Sequence, residues 1–253
     1  MTYLLVPIDF EEVKKLKLDD LIRLQGLQGS KSRPSRENNF LKMNIELTEL
    51  WLSNSEHEWN LALKKYWELV KPENVALEEK LERLDPNDIR TMSAEEFYNF
   101  LLDEYFVWKY TAKNRLATTR MSLQRYLAEN RLSDLDRIKR ELFEFEMEDI
   151  KSGLEIASTI HGLGIAGASG LLALLFPRNF GTVDQFVVRD LLSIKDINQK
   201  DALIKMNPNN IRLNDGVELI GIMKERANEL NRSNNTDKWT PRHIDKVLWA
   251  YRS

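Results

Sequence analysis

Three features of the chain have residue types and spacings that could do chemistry. A glycine turn stands at His161-Gly162-Leu163-Gly164-Ile165, a lone carboxylate follows at Asp184, and aromatics, an amide and cations interleave from Tyr105 to Arg115. Glycines at 162 and 164 permit a positive-φ turn and close approach of the backbone. The first amides of a helix starting just beyond them point outward beside the positive end of its dipole, a place that binds an anion. An αα-hairpin whose glycines only bring two helices together uses the same residues, and the glycine pair alone does not choose between the two. Asp184 precedes QFVVRDLL, where an aspartate can N-cap a helix. In YFVWKYTAKNR, helical spacing puts Tyr105 and Trp108 on one side with Lys109 beside them, and Phe106, Trp108 and Tyr110 equally suit a core. His161 reads as a surface or capping residue. With His57 and His243 it is too scattered for metal-ligand spacing, so no metal or cofactor is expected.

The elements that must position these groups read as helices. GLEIASTI before the glycines and AGASGLLALLF after them both have helical spacing, giving helix, tight turn, helix. Upstream, apolar residues recur at three and four spacing from Phe40 to about Val70, with a break at Asn54 and Ser55. Ser93-Ala-Glu-Glu96 is a capping box opening a helix through EEFYNFLLDEYFVWKY. Further helices are predicted from Arg115 to Glu129 and from Ser133 to Glu148. Downstream come FVVRDLLSI, a turn at residues 207–210, an amphipathic helix from Gly216 to Leu230, and a last helix capped by Thr240 with Pro241 at its first position. Trp249 and Tyr251 read as docking residues for that helix. The first forty residues offer a short strand (Tyr3 to Ile8), a helical patch (Asp9 to Gln28) and the loop GSKSRPSREN. The prediction is almost all α: an N-terminal helical region over 1–92 and a helical lobe over 93–253, forming one compact unit.

Composition narrows the classes. The 253 residues are 42% hydrophobic and 30% charged and contain no cysteine, which excludes disulfides and thiolate metal sites. The start of the chain lacks the pattern of a signal peptide and the most apolar run, Gly170 to Phe176, is too short to span a bilayer, so a cytoplasmic protein without membrane contact is expected. Net charge is −3, yet between Tyr105 and Arg140 nine Lys or Arg face three acids. Such a segment suits nucleic acid on one face and also suits an ordinary solvated surface.

Residues 154 to 192 resemble the helix-hairpin-helix DNA glycosylase superfamily. Its pattern of glycine, apolar residue, glycine, a small pair, an apolar helix and Val-Asp stands here as Gly162-Leu163-Gly164, Gly167-Ala168, Leu171 to Phe176 and Val183-Asp184. The resemblance implies a helix-hairpin-helix glycosylase-like fold, two helical lobes with a cleft between them. It implies base excision by a monomer acting on double-stranded DNA that carries a modified or damaged base, in repair or in defence against modified phage DNA. The hairpin backbone (Gly162, Leu163, Gly164, Ala166) would hold a phosphate while the target nucleotide flips into the cleft. Asp184 would oppose the charge of the oxocarbenium-like sugar and orient a water. A flipped base needs an aromatic face and polar edge groups, for which Trp108, Lys109, Tyr110 and Asn114 are the candidates. Asn38 and Asn39, near Arg33 and Arg36, would add a DNA-contacting loop.

Two departures from that family bear on mechanism. Ala166 stands where bifunctional members carry a lysine nucleophile, so a monofunctional, water-using enzyme is expected. His161 replaces a frequent proline and Ile165-Ala166 bring no charge, leaving phosphate contact to amides and to the cations between 109 and 140. The alternative is a helix-hairpin-helix protein that binds DNA without catalysis.

Overall fold

Capping residues set where the helices begin. In this computed structural model, which describes residues 46–252, Ser55 Oγ accepts the Glu58 amide at the head of one helix. Ser93 and Glu96 close the capping box: the Glu96 amide reaches Ser93 Oγ at 3.2 Å and the Ser93 amide reaches Glu96 Oε2 at 2.7 Å. Thr240 accepts the His243 amide with Pro241 at the first helical position. The described residues form helices and turns, with no strand among them. In order these are α1 (Leu47–Leu52), α2 (Glu56–Leu69), α3 (Pro72–Glu82), α4 (Pro86–Thr91), α5 (Ala94–Phe100), a π-helical turn (Leu101–Tyr105) and α6 (Phe106–Lys109). Then come α7 (Lys113–Ala128), α8 (Leu132–Glu141), α9 (Ile150–Ser158), α10 (Ile165–Leu175), α11 (Gln185–Ser193), α12 (Lys200–Lys205), α13 (Leu213–Asn234) and α14 (Pro241–Tyr251).

The sequence IAGASGLLALL is apolar all round, which makes α10 a central helix rather than a surface one. Every residue from Gly167 to Leu175 is buried, and α9, α13 and α14 pack around it. The C-terminal helix α14 also lies on α2, where Tyr66 meets Trp249 with ring centroids 5.1 Å apart, and Lys65 sits 4.0 Å from the centre of the Tyr251 ring. Residues 56–69 are thus tied directly to the end of the chain, and the described residues belong to one compact unit.

Several boundaries differ from the sequence reading. The helix expected to reach Glu148 stops at Glu141. Phe143 and Phe145 both pack on Phe176, at 5.6 and 6.0 Å between centroids. Side chains two apart point to opposite sides of a helix, so this shared partner needs an irregular backbone. The helix through 94–109 contains a π turn, an insertion often found near functional sites. The helix expected over Gly216 to Leu230 runs longer, to Asn234, and ends on Asn235 in the left-handed region at φ 49°. The strand, helix and loop read into the first forty residues, with Arg33, Arg36, Asn38 and Asn39, lie outside the described residues. Among those described, no helix is long and apolar enough to cross a membrane, and no group of three or more His, Asp or Glu is placed to hold a metal.

Candidate functional site

The glycine turn joins α9 to α10, and its two glycines do different work. Gly162 has φ +95°, and a Cβ there would lie 2.8 Å from the Thr119 carbonyl oxygen on α7. Only glycine fits this position, on both conformational and steric grounds. Gly164 has φ −95°, so the positive φ allowed for by the sequence belongs to Gly162 alone. A Cβ on Gly164 would meet nothing within 4 Å, and its face is open. Leu163 is buried in the core. Gly164 caps α10 without a side-chain bond, and the first backbone bond into the helix is Ala168 N to Gly164 O at 2.8 Å. The amides of Gly164, Ile165, Ala166 and Gly167 therefore carry no hydrogen bond among the described residues. His161, expected at the surface or as a cap, instead lies half-buried and stacked on Tyr126 at 4.2 Å between ring centres.

Asp184 caps α11. Its Oδ1 accepts the amides of Phe186 at 2.9 Å and Val187 at 3.1 Å, which fixes the carboxylate plane. Its Oδ2 has no partner among the described residues, and the side chain is half-buried. The residues leading to it are pinned by polar groups that sequence reasoning missed. The Val183 amide donates to Ser169 Oγ of α10 at 2.9 Å, and the Thr182 amide donates to Asp245 Oδ2 of α14 at 2.6 Å. Arg242, buried one turn before Asp245, holds that carboxylate at 2.9 Å and reaches Glu78 of α3 at 3.3 Å. Glu78 also accepts from Tyr66 Oη and from Trp108 Nε1, each at 2.5 Å. Desolvation works against the Arg242 guanidinium, but Asp245, Tyr66, Glu82 and Glu78 more than offset it and raise its pKa. An Arg-x-x-Asp on a C-terminal helix was the only sequence signal for this network.

The aromatic segment divides between core and site. Tyr105 and Phe106 are fully buried, and the Tyr105 hydroxyl donates to the Gly167 carbonyl. Trp108 is half-buried, with its indole N–H spent on Glu78 and its ring 5.1 Å from the Arg242 guanidinium carbon. Tyr110 lies against Gly167, where a Cβ would come within 2.4 Å of its hydroxyl. Asn114 is exposed on the first turn of α7, and its Oδ1 accepts the Arg115 amide at 2.9 Å.

Lys109 is half-buried. Its stem crosses Gly170 of α10, with Cδ and Cε 3.2 and 3.3 Å from where a Cβ would stand. Desolvation holds its pKa below the ordinary lysine value, with Asp184 and Asp245 opposing that shift and Arg242 adding to it. It forms no hydrogen bond and no ion pair among the described residues. Lys109 packs on Gly170 while Ser169 tethers Val183, so neighbouring residues of α10 hold this ammonium and the Asp184 carboxylate to one place.

A second buried carboxyl, Asp190, lies on α11. It is 4% exposed, its Oδ2 has no partner, and desolvation followed by the Asp184 charge pushes its pKa up to about 6. The basic segment is largely self-neutralised: Arg120, Arg131, Arg137, Lys139 and Arg140 pair with acids. Lys109, Lys113, Arg115 and Arg125 have no ion pair among the described residues, and of these Lys109 lies close enough to Asp184 to feel its charge. A cleft of about 430 Å³ lies elsewhere, lined by Trp51, Asn54, Asp196, Arg226 and Arg232 among others. No family model, curated protein or solved structure matches the chain.

Proposed function

We infer that the protein is a monofunctional DNA N-glycosylase that hydrolyses the bond between deoxyribose and a damaged or modified base flipped from duplex DNA. The observation that carries this reading is Asp184. It is a carboxylate locked in orientation through one oxygen, with the other free, beside a helix-hairpin-helix whose first amides have no internal partner. A fixed carboxylate in a half-buried site stabilises positive charge on a sugar far better than one in water. Free amides at the head of α10 suit a DNA phosphate, a contact that positions without reading sequence. In this reading Gly164 and Ala166 face the phosphate, Gly162 and Leu163 shape the turn from within, and Trp108, Lys109 and Tyr110 flank the base in a cleft between two helical lobes. Ala166 supplies no amine, which supports water as the nucleophile.

The second reading, a DNA-binding protein without catalysis, is favoured by one observation: the 430 Å³ cleft does not include Asp184. Incubating the protein with duplexes carrying a panel of modified bases, then detecting abasic sites by alkali cleavage, separates the two. Base release from any of them supports the glycosylase. Binding that weakens with salt but yields no abasic site from a broad panel favours the second.

A further inference from the structure

The Lys109 ammonium and the Asp184 carboxylate share a half-buried site, and they do not close on each other. No ion pair within 4.0 Å joins them, although each has an atom left over: Oδ2 of Asp184, and the whole of Lys109 Nζ. Opposite charges in a partly dry site normally pair directly, because an unpaired charge there is costly. Here each is held from behind. Asp184 is fixed by two α11 amides and by the Ser169 tether on the preceding residue. The Lys109 stem is held against Gly170, with Tyr105 bonded to Gly167 one turn earlier on α10. A negative and a positive pole held apart suit a group whose own charges separate in the opposite sense.

We propose that Lys109 is the catalytic acid for the leaving base, paired across the scissile bond with Asp184, and that the enzyme therefore acts on bases that depart as anions rather than on cationic alkylated bases. This rests on the glycosylase reading above. When the C1′–N bond breaks, its electron pair goes to the base nitrogen and positive charge remains on the sugar. Asp184 faces the sugar, and Lys109 gives a proton from Nζ to the departing base. Water adds at C1′ and its proton passes to Asp184 Oδ2. The products are the neutral base and an abasic sugar, and solvent returns a proton to Lys109 and takes one from Asp184. The lowered affinity of Lys109 for its proton favours the transfer. The charged and titratable groups around Lys109 are Asp184, Asp245, Arg242, Tyr105 and Tyr110; the Tyr105 hydroxyl is spent on the Gly167 carbonyl and Arg242 on Asp245 and Glu78.

The test uses the full chain and duplexes of one sequence carrying uracil, 5-fluorouracil, 5-hydroxymethyluracil, hypoxanthine or 7-methylguanine. The last departs neutral and needs no acid. Lys109→Met should slow release of neutral bases on the order of a hundredfold or more. The loss should shrink as the base becomes a better leaving group, from uracil to 5-fluorouracil, and any release of 7-methylguanine should change less than about tenfold. Lys109→Gln, which keeps a hydrogen-bond donor but gives no proton, should behave like Met, and both should melt close to wild type. An equal loss on every base, release of 7-methylguanine alone, or a borohydride-trapped adduct that disappears in Lys109→Met would overturn the acid role while leaving base excision standing. No release of any base by the wild type would overturn the glycosylase reading and this inference with it.

Discussion

Ser169→Ala removes one oxygen from the centre of the fold, and its cost can be worked from two distances. Ser169 is fully buried; its Oγ donates to the Ala166 carbonyl at 3.0 Å and accepts the Val183 amide at 2.9 Å. Alanine leaves the Val183 N–H buried without a partner, since Val183 itself has no exposed surface. Stranding such a group costs about 1–3 kcal/mol. For a domain of this size that lowers the melting temperature by roughly 2–12 °C. The functional effect should exceed what stability alone implies, because Val183 immediately precedes Asp184. A displacement of the carboxylate by about 1 Å lowers a positioned reaction on the order of a hundredfold. Thermal melts would be read beside single-turnover base release at a temperature where both proteins are fully folded. Ser193→Ala is the control: its hydroxyl only bonds back to the Asp190 carbonyl at 2.7 Å, and its loss should stay within about 0.5 kcal/mol. A Ser169→Ala protein that melts within about 1 °C of wild type and retains full activity would refute the claim that this tether holds the site.

Three further outcomes follow from the hairpin and from Asp190. Gly162→Ala should lose about 2 kcal/mol or more, from a strained φ and the Thr119 carbonyl in its way. Gly164→Ala should fold normally yet bind duplex DNA more weakly whatever its sequence, and equal stability losses in urea titrations would contradict this division. The raised pKa of Asp190 means the folded state holds a proton that the unfolded chain has released. Stability from this group is therefore full below the ordinary aspartate value of 3.8 and is lost as pH rises to about 6. Asp190→Asn should flatten that decline, and an unchanged slope between pH 4 and 6 would show that the group does not titrate there.

Much of the architecture was legible because local chemistry dictates it. The Ser93–Glu96 box, the Thr240-Pro241 start, the break at Asn54-Ser55 and the Asp184 cap all act within a few residues of themselves. What periodicity could not reach were features set by tertiary contact. The helix end at Glu141 depends on Phe143 and Phe145 sharing Phe176, and the π turn lies beneath a uniform helical pattern. The site divides the same way. Asp184 and the hairpin carry a sequence motif, whereas the Ser169 and Asp245 tethers join residues 14 and 63 apart. The half-burial of Lys109 was not legible, because nothing local signals that Gly170 leaves room for its stem.

The most direct test of the central claim is Asp184→Asn. Asparagine caps a helix about as well as aspartate, so the α11 start and the melting temperature should hold. Duplex affinity should hold as well, because the hairpin is untouched. Only the charge facing the sugar is lost, and single-turnover release of the excised base should fall below a tenth of the wild-type rate, a barrier increase of more than ~1.4 kcal/mol. A folded Asn variant that keeps more than that tenth would contradict the assignment of Asp184 as the catalytic carboxylate.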